Sequence, residues 1–140
     1  MTSIGQFFLA FFVGWCCYMT AAVAMGLGSI GVQAIVGLFV TLLVVPTVFA
    51  LGLPLRWYAP LNRWWRANWW IAVALGAVAF GLLYASWLPQ YRTVYPDPNA
   101  PEHLVNSPHP SLGLGGWLLV MFAAGHFYPP SKHNKAEPHP

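Results

Sequence analysis

Two long stretches without a charged residue limit what this chain can fold into more than any other feature. Residues 4–27 and 32–53 contain no Asp, Glu, Lys or Arg. Each is longer than the ~18 residues at which an uncharged apolar run predicts a transmembrane helix. Further apolar runs occupy residues 69–88 and 112–128, the last being the shortest. The sequence therefore predicts an all-α integral membrane protein, with four transmembrane helices in one domain over residues 1–128.

The overall composition supports this class. The chain is 58% hydrophobic and only 6% charged, whereas a soluble domain carries about a quarter charged residues. Its six Lys and Arg residues are too few and too scattered to form a stripe that follows nucleic-acid phosphates. The lipid bilayer is the partner that the composition predicts, and nucleic acid is excluded.

Residues 53–70 concentrate tryptophan and arginine between the second and third apolar runs. The segment holds five of the eight tryptophans and three of the six basic residues. Tryptophan is enriched at membrane–water interfaces, where its ring is half wet and half apolar. We interpret the segment as an interfacial loop, because Pro54 and Pro60 interrupt a continuous helix. Its predicted anchoring residues are Arg56, Trp57, Arg63, Trp64, Trp65, Arg66, Trp69 and Trp70.

The charge distribution predicts an orientation. Four spans place the 53–70 loop and the polar tail, residues 129–140, on one side of the membrane with five of the six basic residues. Arg92 is the sixth and lies in the opposite loop, residues 89–111, which is rich in proline and predicted to be aqueous. Since basic residues accumulate on the cytoplasmic side, both termini are expected in the cytoplasm. A bacterial inner membrane is the expected location.

Small residues four positions apart recur in the first and third runs. Such pairs let helix backbones approach closely in lipid, where hydrophobic burial does not drive association. The sequence therefore places the centre of helix packing in these two runs. The predicted packing residues are Ala10, Gly14, Ala22, Gly26, Ala72, Gly76, Ala77 and Gly81.

Residues with chemical potential are scarce. The first three runs contain no Asp, Glu, Lys, Arg or His, although membrane enzymes and pumps keep such groups within the bilayer for function. We expect no catalytic residue. His126 is the one histidine in a predicted span and could ligate haem or chlorophyll, although a packing role is favoured. The sequence requires no cofactor. His103 and His109 in the outer loop could ligate a metal ion, but the sequence does not identify which metal.

These features favour a non-catalytic accessory or structural subunit of a larger membrane complex, of a respiratory or photosynthetic kind, with other membrane subunits as partners. Uncharged helices, small-residue pairs and polar segments that could lie along a partner all support this hypothesis. Two alternatives stay open. One is a small oligomeric transporter or channel component whose path is shaped by a kink at Pro46, and the other is a haem- or chlorophyll-binding protein that uses His126.

Overall fold

A computed structural model describes residues 3–97 and 100–129, and these are mostly helical. In chain order the elements are α1 (Ser3–Ala24), α2 (Ile30–Leu51), α3 (Leu53–Trp57), α4 (Ala59–Ala67), α5 (Trp70–Ser86), β1 (Thr93–Asp97), β2 (Ala100–Ser107) and α6 (Pro110–Gly125). The four longest helices, α1, α2, α5 and α6, cover most of the four apolar runs. The predicted polar tail lies outside the described residues from position 130 onward.

Two helices are long and apolar enough to cross a membrane, namely α1 and α2. Helix α5 meets the same criterion when it is joined to α4 as one span bent by 75°. Helix α6 is apolar but has only 16 residues. The structure thus gives two clear candidate spans, or three if the bent pair crosses as one.

Gly26 ends α1 and is not a packing residue of that helix. Its φ of 66° lies in the left-handed region, which glycine adopts without a steric penalty. The amide of Leu27 donates to the carbonyl of Ala22, and the amide of Gly26 donates to that of Val23, at 3.1 Å each. This pair of hydrogen bonds is the Schellman arrangement that closes a helix, so the predicted packing role of Gly26 is replaced by a terminating one.

Helix α6 is the centre of the bundle. It packs against α5, α1 and α2, whereas α1 and α5 barely touch each other. Its residues Val120 and Met121 join Val45, Val48 and Ala79 in the buried core. The sequence predicted α1 and α5 as the packing centre because small-residue pairs recur there; the structure instead gives that position to the shortest of the four apolar runs.

Glycine explains how closely α6 approaches its neighbours. A Cβ added at Gly116 would lie 2.9 Å from the carbonyl oxygen of Ala79 on α5 and 2.9 Å from Cγ of Leu83. A Cβ added at Gly14 on α1 would come within 2.8 Å of Met121 Cγ on α6. Both contacts need a hydrogen in place of a side chain, as expected of close helix packing in lipid.

The segment predicted as an interfacial loop is helical. Pro54 lies in the first turn of α3 and Pro60 in the first turn of α4, where the missing amide hydrogen costs nothing because first-turn amides have no intrahelical acceptor. The prolines therefore start two short helices instead of preventing them. Since α4 and α5 are bent by 75°, α4 would lie along the membrane surface if α5 crosses the membrane.

The outer loop contains a β-hairpin, so the all-α prediction is wrong for this segment. Strands β1 and β2 are antiparallel, with Thr93 opposite Ser107 and Tyr95 opposite Val105. Pro96 lies within β1 and has no amide hydrogen to donate. It is tolerated there because each strand of a two-stranded ribbon has a free edge. Beside the hairpin, the amide of His109 donates to the carbonyl of Ser86 at 2.9 Å and joins the start of α6 to the end of α5.

The α5–α6 contact can be tested with two neighbouring glycines. Gly116→Ala should lower the free energy of unfolding in detergent by about 1–3 kcal/mol, because the new methyl group overpacks against Ala79 and Leu83. Gly115→Ala is the control: nothing in the described chain lies within 4 Å of its added Cβ, so stability should be unchanged or slightly raised. Equal effects of the two changes would contradict the described packing of α6.

Candidate functional site

Two of the four buried polar side chains of the described residues lie at one end of the bundle, where α1 begins and α2 and α6 end. Gln6, Arg56, Trp65 and His126 meet there, and we call this group the α6 end cluster. Gln6 is 1% exposed and His126 is fully buried. The members come from α1, α3, α4 and the residue after α6, so this cluster ties together the elements at this end.

Arg56 points into the bundle instead of into water. One of its terminal nitrogens donates to Oε1 of Gln6 and to the carbonyl of Gly125, each at 3.1 Å. The guanidinium carbon lies 4.5 Å from the centre of the Phe49 ring, a cation–π geometry. The sequence predicted Arg56 as a membrane anchor, and the structure adds these contacts inside the bundle.

Three side chains cap the carboxyl end of α6. Arg56 donates to the carbonyl of Gly125, Trp65 Nε1 to that of His126 at 2.7 Å, and Gln6 Nε2 to that of Phe127 at 3.1 Å. The last carbonyls of a helix have no intrahelical partner and carry partial negative charge. The cluster therefore satisfies these carbonyls away from water and places a cation where the helix dipole favours one.

His126 is held in one orientation by its surroundings. Its Nδ1 lies 2.9 Å from the carbonyl of Phe122, and since a carbonyl only accepts, Nδ1 carries the proton. The ring stacks on Phe122 with centroids 4.4 Å apart and contacts Phe49 at 5.6 Å. Nε2 is buried and has no hydrogen-bond partner among the described residues. The imidazole is therefore fully enclosed.

The surroundings of Nε2 do not fit a haem or chlorophyll. A Cβ added at Gly52 would overlap Nε2, Cε1 and Cδ2 of His126, so the imidazole packs directly on the backbone where α2 meets α3. An axial ligand needs open space for the metal and its macrocycle beyond the donor nitrogen. That space is filled by the protein backbone, and the predicted role of His126 as a cofactor ligand does not agree with this geometry.

The other predicted anchors divide into outward and inward residues. Trp65 is 6% exposed and belongs to the cluster. Arg63 is exposed, and the Arg66 guanidinium lies 4.5 Å from the centre of the Tyr128 ring. The remaining tryptophans face outward, as an interfacial role requires: Trp57, Trp64, Trp69 and Trp70.

The predicted packing residues divide similarly. Four are buried at helix contacts: Ala10, Gly14, Ala22 and Ala72. By contrast, nothing in the described chain lies within 4 Å of a Cβ added at Gly76 or Gly81, and Ala77 is exposed. Small residues of α5 thus leave an open face on that helix. Their predicted packing role stays a prediction, because it would require a helix from another chain.

No group of three or more His, Cys, Asp or Glu that could hold a metal ion occurs among the described residues. Cys16 and Cys17 are free thiols, half-buried in α1. The side chain of His103 and the whole of His133 and His139 lie outside the described part of the chain. Comparison with protein-family models, curated proteins and solved structures finds no match, so function is argued from geometry alone.

A double-mutant cycle tests the contact between His126 and the end of α2. His126→Ala should destabilise the protein by about 2–5 kcal/mol because it leaves a cavity, and Gly52→Ala should destabilise it through the clash with the imidazole. In the double variant the new methyl group occupies space that the ring has vacated. The double variant should therefore be less destabilised, by at least ~1 kcal/mol, than the sum of the losses in the two single variants. All three losses are measured as changes in the free energy of unfolding in detergent.

Gly31→Ala provides the control for this cycle. Gly31 lies at the other end of α2, and among the described residues the nearest neighbour of an added Cβ is Ser29 Oγ at 3.7 Å, an ordinary contact. Combined with His126→Ala, it should give a strictly additive loss. Additivity in the Gly52 cycle as well would mean that His126 does not pack on the backbone there.

Proposed function

We propose that this protein is a non-catalytic subunit of a larger membrane complex, built from four helices that cross the bilayer. The observation that carries the proposal is the open face of α5, where Ala77 and Gly81 are exposed one turn apart and nothing in the described chain lies within 4 Å of a Cβ added at Gly81. Small residues gain little van der Waals contact with lipid, but they permit the close approach of another helix. A helix of a second subunit is the partner that fits this face.

The use of the buried polar groups supports a structural role. Arg56, Trp65 and Gln6 direct their donors at the end of α6, and His126 donates to its own helix. A catalytic acid, base or electrophile has to reach a substrate from a cleft. In the α6 end cluster the donors instead stabilise the joint between helices.

The contacts at the two ends of the bundle support an antiparallel, four-span arrangement. At one end Arg56 links the start of α1 to the end of α6. At the other end His109 bonds to Ser86, and the hydroxyl of Ser107 lies 3.7 Å from the Met25 sulfur. Each pair of consecutive long helices thus runs in opposite directions. With the five-to-one distribution of basic residues, this arrangement supports an inner membrane with both termini in the cytoplasm.

The length of α5 and α6 is compatible with crossing. At about 1.5 Å per residue, helices of 17 and 16 residues reach roughly 25 Å, slightly less than a hydrocarbon core of about 30 Å. Short spans are accommodated by local thinning of the bilayer and by interfacial residues at their ends. Trp69 and Trp87 flank α5 in positions suited to this role.

Co-purification tests the subunit role. After extraction in mild detergent, the protein should migrate on a native gel with at least one other membrane protein, identified by mass spectrometry. Ala77→Leu and Gly81→Leu should each release that partner while leaving the isolated chain as stable as before, because both positions are exposed on α5 and nothing in the described chain lies within 4 Å of a Cβ added at Gly81. Val78→Leu is the control, since Val78 is already a large residue and 55% exposed on α5.

Two results would argue against the subunit role. The first is a chain that elutes alone under every mild condition. The second is a partner that the Ala77→Leu and Gly81→Leu variants retain as well as Val78→Leu does. In the second case the contact surface would have to lie elsewhere than on α5.

Cysteine labelling tests the orientation. In a background with Cys16 and Cys17 replaced by Ala, Asn106→Cys in β2 should react with a membrane-impermeant maleimide on intact cells. Ala59→Cys, exposed at the start of α4, should react only after the cells are permeabilised. Labelling of both from the same side would contradict the four-span model, and the reverse pattern would invert the orientation.

A further inference from the structure

A small cavity at the start of α1 is lined by the charged member of the α6 end cluster. The cavity has a volume of about 320 Å³ and opens to the outside. Its walls are Ile4 and Phe7 of α1, Phe49 of α2 and Arg56 of α3. Three of these side chains are apolar, and only Arg56 among them carries a charge. We call this space the Arg56 cavity.

The half-buried guanidinium of Arg56 has no acidic residue near it in the described chain. Of the three acidic residues of the sequence, Asp97 and Glu102 belong to the hairpin at the other end of the bundle, and Glu137 lies outside the described residues. The amino ends of α1 and α3 and the carboxyl ends of α2 and α6 meet here, and their opposite partial charges largely cancel. Because buried charges are normally paired, the remaining positive charge of Arg56 favours an anion.

The guanidinium also keeps unused hydrogen-bond donors. It has five N–H groups, of which Nη2 supplies those that bond to Gln6 and Gly125. The Nε atom is buried and is not available to a ligand in the cavity. Nη1 donates to no described residue, so its two N–H groups are the donors left for a ligand. Hydrogen bonds from arginine to phosphate oxygens are charge-assisted and among the strongest in proteins.

The Arg56 cavity lies where the headgroups of a bilayer are found. Helices α1 and α2 are the two clear candidate spans. Ile4 is the second residue of α1, and Phe49 is the third from the end of α2, so the cavity is at the membrane surface if these helices cross. Beside it, Ile4 is 70% exposed and Phe8 is 63% exposed. These side chains offer an apolar surface to the acyl chains of a lipid.

We infer that the Arg56 cavity binds the headgroup of an anionic phospholipid. Nη1 of Arg56 donates to a phosphate oxygen, and the acyl chains lie along Ile4 and Phe8. Basic pockets between transmembrane helices bind lipid headgroups through the same chemistry. A lipid fits this site better than a free phosphate ion does, because Ile4, Phe7 and Phe49 give it apolar walls. The site is separate from the open face of α5 and does not depend on the subunit role.

Native mass spectrometry of the delipidated full chain in a neutral detergent tests the inference. The chain is titrated with dioleoylphosphatidylglycerol and, separately, with dioleoylphosphatidylcholine, which has the same acyl chains but no net charge. We expect one molecule of phosphatidylglycerol to bind per chain, at least about tenfold more tightly than phosphatidylcholine. Equal affinity for the two lipids would overturn the inference. Displacement of the bound lipid by an equal concentration of inorganic phosphate would also overturn it, because the site would then be one for a free anion.

Two substitutions at Ile4 provide a matched pair for locating the site. Ile4→Glu places a carboxylate in the wall of the cavity, where it pairs with Arg56 and should weaken phosphatidylglycerol binding at least about tenfold. Ile4→Gln has nearly the same shape without the charge and should bind within about threefold of the parent chain. Both variants should fold, because the position is 70% exposed and the first turn of a helix favours an acidic residue. Equal affinity of the two variants would show that the lipid occupies another place.

A pair of arginine variants tests the source of the charge preference. Arg56→Met should abolish the preference for phosphatidylglycerol over phosphatidylcholine. Arg63→Met removes the same charge from an exposed position on α4 and should keep the preference. An equal loss in both variants would indicate general attraction to a basic surface and would overturn the assignment to the cavity. If Arg56→Met does not fold because α6 loses a capping donor, the Ile4 pair decides. All measurements use the isolated chain, so their outcome is independent of the subunit role.

Discussion

The capping of α6 by side chains from distant segments is the interaction on which the rest of the structure depends. Three consecutive carbonyls at its carboxyl end accept hydrogen bonds from Arg56, Trp65 and Gln6. Without these donors the end of a short apolar helix would leave buried carbonyls unpaired, at a cost of about 1–3 kcal/mol each. Because the donors come from α1, α3 and α4, one joint fixes the position of α6 relative to those elements.

Hydropathy predicted the helices well but could not predict this joint. The apolar runs that became α1, α2, α5 and α6 are visible in the sequence. The donors and acceptors of the joint are separated by 121 residues for Gln6, 69 for Arg56 and 61 for Trp65. Nothing local distinguishes an arginine that will cap a helix from one that will face water.

The errors have physical causes. Arginine and tryptophan were treated as interfacial because composition alone averages over the faces of a helix, yet α4 turns Trp65 inward and Arg63 outward. Proline was treated as a breaker, although it is tolerated in first helical turns and at free strand edges. His126 was considered as a cofactor ligand because it is the one histidine in a predicted span. Its burial follows from the absence of a side chain at Gly52, which sequence spacing does not reveal.

The central position of α6 also explains the open surfaces of the molecule. The missing side chain of Gly116 lets α5 pack closely on one side of α6, and that of Gly14 lets α1 pack closely on another side. Both neighbours pack on the middle helix, whereas they barely touch each other. The same contact with α6 buries Ala79 of α5 and leaves Ala77 and Gly81 exposed on another side of that helix. The position of the short helix in the middle thus accounts both for the gap between α1 and α5 and for the open face of α5.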